Sequence, residues 1–248
     1  MDVRVVGVDG CRAGWVAVFR DGEILDYRIF SDVASLVIFF PNVQQILIDI
    51  PIGLPWSECI ARPCEVQARA WLRPWGRASS VFSPPCRDAA HAGNYREACA
   101  RNQRELGKQL SIQSWNICNK IAEVDQFLRR QAGQRTQLRE AHQEICFAAL
   151  NVGVAMSAPK KTSEGATQRL AVLARYERNS AALVGRVLAE QRRSAVQRDD
   201  VIDALVCYIT ANQPELASLR GEPAHDQYGL AMEMVHTPFR SGPLSALD

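Results

Sequence analysis

The chain opens on crowded apolar positions. Val3-Arg4-Val5-Val6-Gly7-Val8 runs into Asp9-Gly10, and after Gly14 a second run, Trp15-Val16-Ala17-Val18-Phe19, follows. Two β-branched runs joined by a short glycine-bearing stretch predict a hairpin. Asp21-Gly22 is a two-residue turn signal, and Glu23 to Phe30 alternates well enough for a third antiparallel strand. The three strands together make a meander. Ser31 is the expected N-cap of a short helix reaching Phe39 or Phe40, with Pro41 and Asn42 closing it. The next run, Ile46-Leu47-Ile48-Asp49-Ile50, is almost continuously apolar, as in a strand covered on both faces. That places it in the parallel part of a mixed sheet, with the helix as its crossover.

From Pro51 to about Arg135 the pattern changes. Pro51, Pro55, Pro63, Pro74, Pro84 and Pro85 punctuate the first half, and helical stretches follow at Tyr95–Lys108 and Ser111–Arg130. In the second stretch Ile117, Ile121, Val124 and Leu128 fall on one helical face. The segment at about 55–135 therefore reads as an α-rich insertion. Beyond it the pattern predicts a fifth strand at 137–142, a short helix near Glu144–Leu150 and a loop carrying Lys160-Lys161. Helical periodicity returns at Gly165–Tyr176 and Asp200–Ala211, and a late edge strand is expected over Leu230–His236. A chain of 248 residues suits one sizeable core, so the expectation is a single α/β domain over 1–248 with a large insertion.

Composition narrows the function classes only a little. With 47% hydrophobic and 23% charged residues, the chain is neither fibrous nor disordered in character. Its start lacks the basic and apolar regions of a secretory signal, and no segment approaches the length of a membrane span. Eight cysteines are then expected as reduced thiols in a cytoplasmic protein with no membrane partner. A formal net charge of +2 excludes a histone-like binder; any polyanion must be held by a local basic surface.

Candidate chemistry begins where acids interrupt the apolar pattern. Asp9 stands at the end of the first apolar run, where an ionised carboxylate loses hydration unless a cation or donors replace it. A turn role beside Gly10 is the ordinary alternative. Asp49 repeats the situation in the fourth run, with a cap for the following turn as its alternative. On neighbouring strands about 5 Å apart, the two carboxylates would meet at one sheet edge and repel unless a divalent cation lay between them. Asp200 and Asp203 lie three apart in the first turn of a late helix, where acids also serve the helix dipole. Asp203 is followed by apolar residues, which turns it toward the sheet. Together the four offer the oxygen ligands that Mg²⁺ or Mn²⁺ prefers. Two such ions about 4 Å apart activate water and stabilise a scissile phosphate without a side-chain nucleophile.

The stretches Gly7-Val8-Asp9-Gly10-Cys11-Arg12-Ala13-Gly14-Trp15 and Ile48-Asp49-Ile50-Pro51-Ile52-Gly53-Leu54 resemble the DUF429 proteins, predicted ribonuclease H-like nucleases. Ser80 to Pro85, Gly107 to Gln113, Lys120 to Asp125, Lys160-Lys161-Thr162 and Asp199 to Ala204 carry the same likeness, which thus covers nearly the whole chain. The resemblance implies an α/β ribonuclease H-like fold with a five-stranded mixed sheet, and a metal-dependent nuclease acting on DNA or RNA. It is also similar to Holliday-junction resolvases, which carry one acid on the first strand, one on the fourth and a pair at i, i+3 on the last helix. By that likeness Asp9, Asp49, Asp200 and Asp203 are the metal ligands and catalytic acids. Where the family pattern has His-Pro-Glu and Ser-Lys-Lys-Thr, this chain has His142-Gln143-Glu144 and Pro159-Lys160-Lys161-Thr162. Glu144 and His142 are candidates for an extra ligand or proton shuttle, against a structural hydrogen-bonded role. Lys160 and Lys161 are candidates for holding a phosphate, against plain solvated lysines.

Three weaker features complete the picture. Cys59, Cys64, Cys86 and His91 loosely mimic a Cys₃His zinc site, but their irregular spacing favours scattered thiols. Basic residues outnumber acids between Arg62 and Lys108, and with Trp71, Trp75 and Tyr95 they offer either a nucleic-acid surface or an ordinary helical face. A non-catalytic member of the fold, binding nucleic acid or protein, is the alternative to a nuclease. An actin-like ATPase is disfavoured on length, because such folds need two related domains around the nucleotide.

Overall fold

The computed structural model describes residues 3–130, 137–219 and 221–239, and it is an α/β structure. Its chain order begins with β1 (Val5–Cys11), β2 (Gly14–Asp21), β3 (Ile24–Phe30), α1 (Val33–Phe39) and β4 (Gln45–Ile48). Helices α2 (Pro63–Leu72), α3 (Arg87–Ala90), α4 (Tyr95–Leu106), α5 (Ile112–Asn116) and α6 (Cys118–Arg130) follow. Then come β5 (Leu138–Glu140), α7 (Gln143–Leu150), α8 (Ser163–Leu173), α9 (Ser180–Glu190) and α10 (Arg198–Ala211). The two-residue strands β6 (Ala217–Ser218), β7 (Ala224–His225), β8 (Ala231–Met232) and β9 (Val235–His236) complete the order. Among the described residues no helix is long and apolar enough to cross a membrane.

The chain divides into two compact units. The first comprises Met1–Asp49, Thr136–Ala217 and Val235–Asp248; the second comprises Ile50–Arg135 and Ser218–Met234. In the first unit five strands pair in the order β3-β2-β1-β4-β5. The meander β1-β2-β3 is antiparallel, whereas β4 runs parallel to β1 and β5 parallel to β4. The five-stranded mixed sheet that the family resemblance implies is therefore present.

Alternation along the strands sorts side chains onto two faces. Val6, Val8, Ile46 and Ile48 share one face. Val5, Gly7, Asp9, Leu47 and Asp49 share the other, and there Val5, Val16, Val18 and Leu47 pack into a core with Phe147, Leu173, Leu183, Val201 and Leu205 from the late helices. Gly7 decides how close α10 comes. A Cβ at this position would lie 1.9 Å from Tyr208 N and 2.3 Å from Ala204 O, both backbone atoms. Only the missing side chain allows α10 to rest directly on β1. Its N-terminal turn is thereby brought beside Asp9, two residues further along the same face.

Several boundaries differ from the sequence expectations. Strand β1 continues through Asp9 to Cys11, so Asp9 pairs with Val16 inside the ladder and is not a turn residue. The N-cap of α1 is Asp32, whose Oδ1 accepts from Ser35 N at 2.7 Å, while Ser31 only supports it by donating to Asp32. The helix expected over Ser111–Arg130 is broken at Ile117, which ends α5. The late strand expected over 230–236 is split. Ala231–Met232 pairs with β7 within the second unit, whereas Val235 belongs to the first unit and bridges Ala141, just after β5. Helices α2, α3 and α9 were not expected from the pattern. The end of the helical insertion, expected near residue 135, lies outside the described residues.

The second unit is held by a charged knot. Asp226 accepts hydrogen bonds from the N–H groups of Leu54, Tyr228 and Leu230, at 3.1, 2.8 and 2.9 Å, and pairs with Arg87 at 2.5 Å. Arg87 also pairs with Asp125 at 2.8 Å and lies over the ring of Tyr228. This ties the late segment 218–234 to the helical part of its own unit. Burial works against the Asp226 carboxylate, but its backbone donors and Arg87 outweigh that and hold its pKa below the usual value.

Candidate active site

Parallel pairing of β1 with β4 brings the first two acids together. Val8 pairs with Ile48, and the N–H of Asp49 donates to Val8 O at 3.0 Å, so the ladder continues one residue past the end of β4. Asp9 and Asp49 are thus neighbours in register on adjacent strands, both on the α10 face of the sheet. Asp49 gains one donor from the start of α7, the backbone N–H of Gln143. An amide at a helix N-terminus is a natural partner for a carboxylate.

The third acid arrives from α10. Asp203 is fully buried, and its Oδ2 meets Lys160 Nζ at 2.5 Å. Its other oxygen, Oδ1, is buried with no hydrogen-bond partner among the described residues. Burying a carboxylate oxygen unsatisfied is costly, which makes this atom the most informative one in the site. Lys160 is held by a compact turn. Thr162 caps α8 by accepting from Gly165 N at 2.9 Å, and its hydroxyl donates to Pro159 O at 2.8 Å. Gly165 is required there because a Cβ would stand 2.0 Å from that same carbonyl oxygen.

The remaining sequence candidates take different places. Asp200 occupies the third position of α10, and its carboxylate accepts from Gln197 N at 2.8 Å in a capping box. It therefore does the helix-start work named as its ordinary alternative, while its charge still reaches Asp9 and Asp203 from the rim of the cluster. Glu144, in the first turn of α7, pairs with Arg169 at 2.5 Å, and both side chains are buried. Arg169 also donates to Ala158 O and Gly165 O, at 3.1 and 3.2 Å. Glu144 is thus the anchor of an arginine that fixes the Lys160 turn, and its charge is felt by Asp49. His142 is the N-cap residue of α7, immediately before the amide that serves Asp49. Lys161 is exposed and faces a groove described below.

The electrostatics follow from this crowding. Burial, then the charges of Asp203 and Asp49, push Asp9 well above the usual carboxylate range, with Lys160 opposing them. Burial is also the leading cause for Asp49, Asp203 and Asp200, each raised to about 6, and Lys160 again works against the shift. Burial disfavours the Lys160 ammonium in turn, but Asp203, Asp9 and Asp49 outweigh it and raise its pKa. The cluster is one system in which a single ammonium answers several buried acids.

Among the described residues, no three His, Cys, Asp or Glu side chains are grouped closely enough to hold a metal ion. Cys59, Cys64, Cys86 and His91 are not brought into such a group among the described residues, and all eight cysteines are free thiols. The basic surface expected between Arg62 and Lys108 is largely engaged within its own unit. Arg62 and Arg69 meet Glu65, Arg87 meets Asp125, Arg101 meets Glu97, and Lys108 donates to Ile60 O. Sequence reasoning did not single out Arg169 or Gly7, although both position the cluster. A glycine inside an apolar strand is a signal of close backbone approach and was available for Gly7; a lone arginine in α8 carries no such signal.

Residues 7–227 match a family model described as "Protein of unknown function (DUF429)". No curated protein and no solved structure matches the chain.

Proposed function

The chain belongs to the DUF429 family, and from that premise we propose that it is a divalent-metal-dependent nuclease, hydrolysing phosphodiester bonds of DNA or RNA on a ribonuclease H-like fold. The observation that carries the reading is the convergence of Asp9, Asp49 and Asp203 from elements far apart in sequence onto one face of the sheet. The strand order and its mix of antiparallel and parallel pairs support the ribonuclease H-like assignment. The donor chemistry suits Mg²⁺ or Mn²⁺: hard carboxylate oxygens, mostly buried, with Asp203 Oδ1 lacking any partner. Asp9, Asp49 and Asp203 would hold the ion, with Asp200 contributing charge from the rim. When bound, such an ion supplies the positive charge that stabilises a scissile phosphate and acidifies the attacking water. The chain's own part is to keep the carboxylates in place: the Gln143 amide on Asp49, the α10 backbone against Gly7, and the Arg169-anchored turn beneath Lys160.

One observation favours a second reading. Lys160 already supplies a cation to the acids, and among the described residues no three ligating side chains are grouped for an ion. A non-catalytic, nucleic-acid-binding or protein-binding member of the fold would keep that lysine as a permanent counter-ion. Assay of Mn²⁺-dependent cleavage on single-stranded, duplex, branched and hybrid substrates separates the two. The nuclease reading expects cleavage that disappears in Asp9→Asn, a near-isosteric change that removes one ligand charge. Wild-type protein that binds no Mn²⁺ by calorimetry and cleaves none of these substrates overturns it in favour of the second.

A further inference from the structure

Beside the acid cluster lies a groove of about 550 Å³, lined by Lys160, Lys161, Leu188, Arg193, Gln197, Arg198 and Asp199. Four of these side chains are cations and one is an acid. Lys160 is shared: it lines the groove and its ammonium rests on Asp203, so the groove lies directly beside the acids. Lys161 and Arg193 are exposed and make no ion pair among the described residues. This contrasts with the second unit, where many of the arginines are tied to carboxylates. Arg198, half-buried, donates to the carbonyl of Thr162 at 3.4 Å and makes no ion pair among the described residues. The β1–β2 turn closes toward the same region, with Ala13 N donating to Ala195 O at 3.1 Å.

Uncommitted cations from three separate stretches, gathered around a concavity, are the surface that a phosphodiester backbone requires. Guanidinium forks suit phosphate oxygens, and the apolar side of Leu188 suits a sugar. We propose that this groove is a backbone-binding site in which Lys161, Arg193 and Arg198 hold the phosphates flanking the one presented to the acid cluster. The assignment deepens the nuclease reading and rests on it for the polarity of the site, but the binding itself does not depend on cleavage. It places sequence-independent affinity on the first unit.

The test is fluorescence anisotropy in EDTA with a labelled single-stranded oligodeoxynucleotide and an oligoribonucleotide of the same sequence, across a salt series. The proteins are wild type, the triple variant K161A/R193A/R198A and the charge reversal Arg193→Glu, each checked for an unchanged melting temperature. Loss of three contacts from a single strand, at a slope of about 0.7 each, corresponds to roughly a hundredfold weaker binding at about 0.1 M salt. The dependence of log K on log salt should flatten by about 2 at the same time. Arg193→Glu, which changes the charge at one groove position by two, should by itself weaken binding relative to wild type. Wild type that binds neither strand, or a triple variant with wild-type affinity and slope, overturns the proposal. Mn²⁺-dependent cleavage measured on the same proteins separates the two readings. Cleavage by a wild type whose triple variant still binds normally sinks the groove alone. Groove-dependent binding without cleavage sinks the nuclease alone.

Discussion

Replacing Lys160 with methionine tests whether one ammonium is what allows the buried acids to ionise. The substitution keeps most of the stem and deletes a charge 2.5 Å from Asp203 Oδ2. At that distance the gross Coulomb attraction is about 6–7 kcal/mol for an effective dielectric constant of roughly 20. Only part of this can be lost, because Asp203 can take up a proton instead. With Lys160 present Asp203 titrates at about 6. At about pH 8 its ionisation then contributes about 3 kcal/mol, which is the ceiling on what the missing ammonium removes through this group. The Lys160 side chain is 34% exposed, so solvent screens some of it. The expected deficit is about 2 kcal/mol near pH 8, falling below about 1 kcal/mol near pH 5.5, where Asp203 is already mostly protonated.

The sign follows from linkage. Asp49, Asp200 and Asp203 sit at about 6 in the folded state against 3.8 for the free group. Their contribution to stability is fully present below 3.8 and is lost as pH rises through about 6. Removing Lys160 moves the upper limit of that window higher, so variant and wild type diverge only above it. Urea denaturation in EDTA across this range reads the difference as a change in midpoint at constant slope. Equal deficits at both pH values would show that Lys160 acts by packing, and no deficit at the higher pH would show that the acids do not need it. Either result refutes the argument. Mn²⁺ at about a hundred times its dissociation constant should then restore about 2.7 kcal/mol to Lys160→Met, if the ion replaces the ammonium.

Three further outcomes follow from the packing and charge of each unit. Gly7→Ala drives a methyl into the α10 backbone, so it should cost about 3 kcal/mol or more and lower the melting temperature by roughly 2–4 °C per kcal/mol, read by calorimetry. A wild-type melting temperature in that variant would deny the close approach of α10 to β1. Arg169→Met should cost about 3–5 kcal/mol by leaving Glu144 buried and unpaired, while Glu144→Met/Arg169→Met should cost less than the single change; urea titration of the three proteins checks this double-mutant cycle. Asp226→Asn should cost about 1.5–3 kcal/mol at neutral pH by weakening the charged hydrogen bonds. Because the folded pKa of Asp226 is lowered, that stabilisation is present above 3.8 and is lost as pH falls through the folded value, so acid denaturation of variant and wild type should converge.

Much of the first unit was legible because its sheet is built from local signals. Strands β1 to β4 announce themselves as apolar runs, with Asp21-Gly22 marking the turn between β2 and β3, and the run at Ile46–Ile50 pointed by its continuity to cover on both faces. What failed were features set by tertiary competition. Ser31 and Asp32 are both good N-caps, and only the geometry at Ser35 selects the aspartate. Ile117 continues the helical stripe in sequence, yet Ser111 already caps a separate short helix whose end falls at that residue. Helix α9 presents Leu183, Val184 and Val187 to the core. Its neighbours are small or polar, so the stripe did not stand out against the surrounding sequence.

The acids and the cations of the site differed in legibility for one physical reason. A carboxylate inside an apolar run breaks a pattern, because the hydrophobic neighbours promise burial and burial without a partner is costly. Asp9, Asp49 and Asp203 each carry that contradiction in their own surroundings. A lysine or arginine in a polar loop or at a helix start breaks nothing, since such residues are solvated in most folded chains. Lys160 ends up bonded to a fully buried acid, and Arg169 is itself buried, through contacts 43 and 25 residues away in sequence. No local window contains both partners. The demand for positive charge can therefore be read from the acids alone, but the groups that meet it emerge only when α8 and α10 are folded against the sheet.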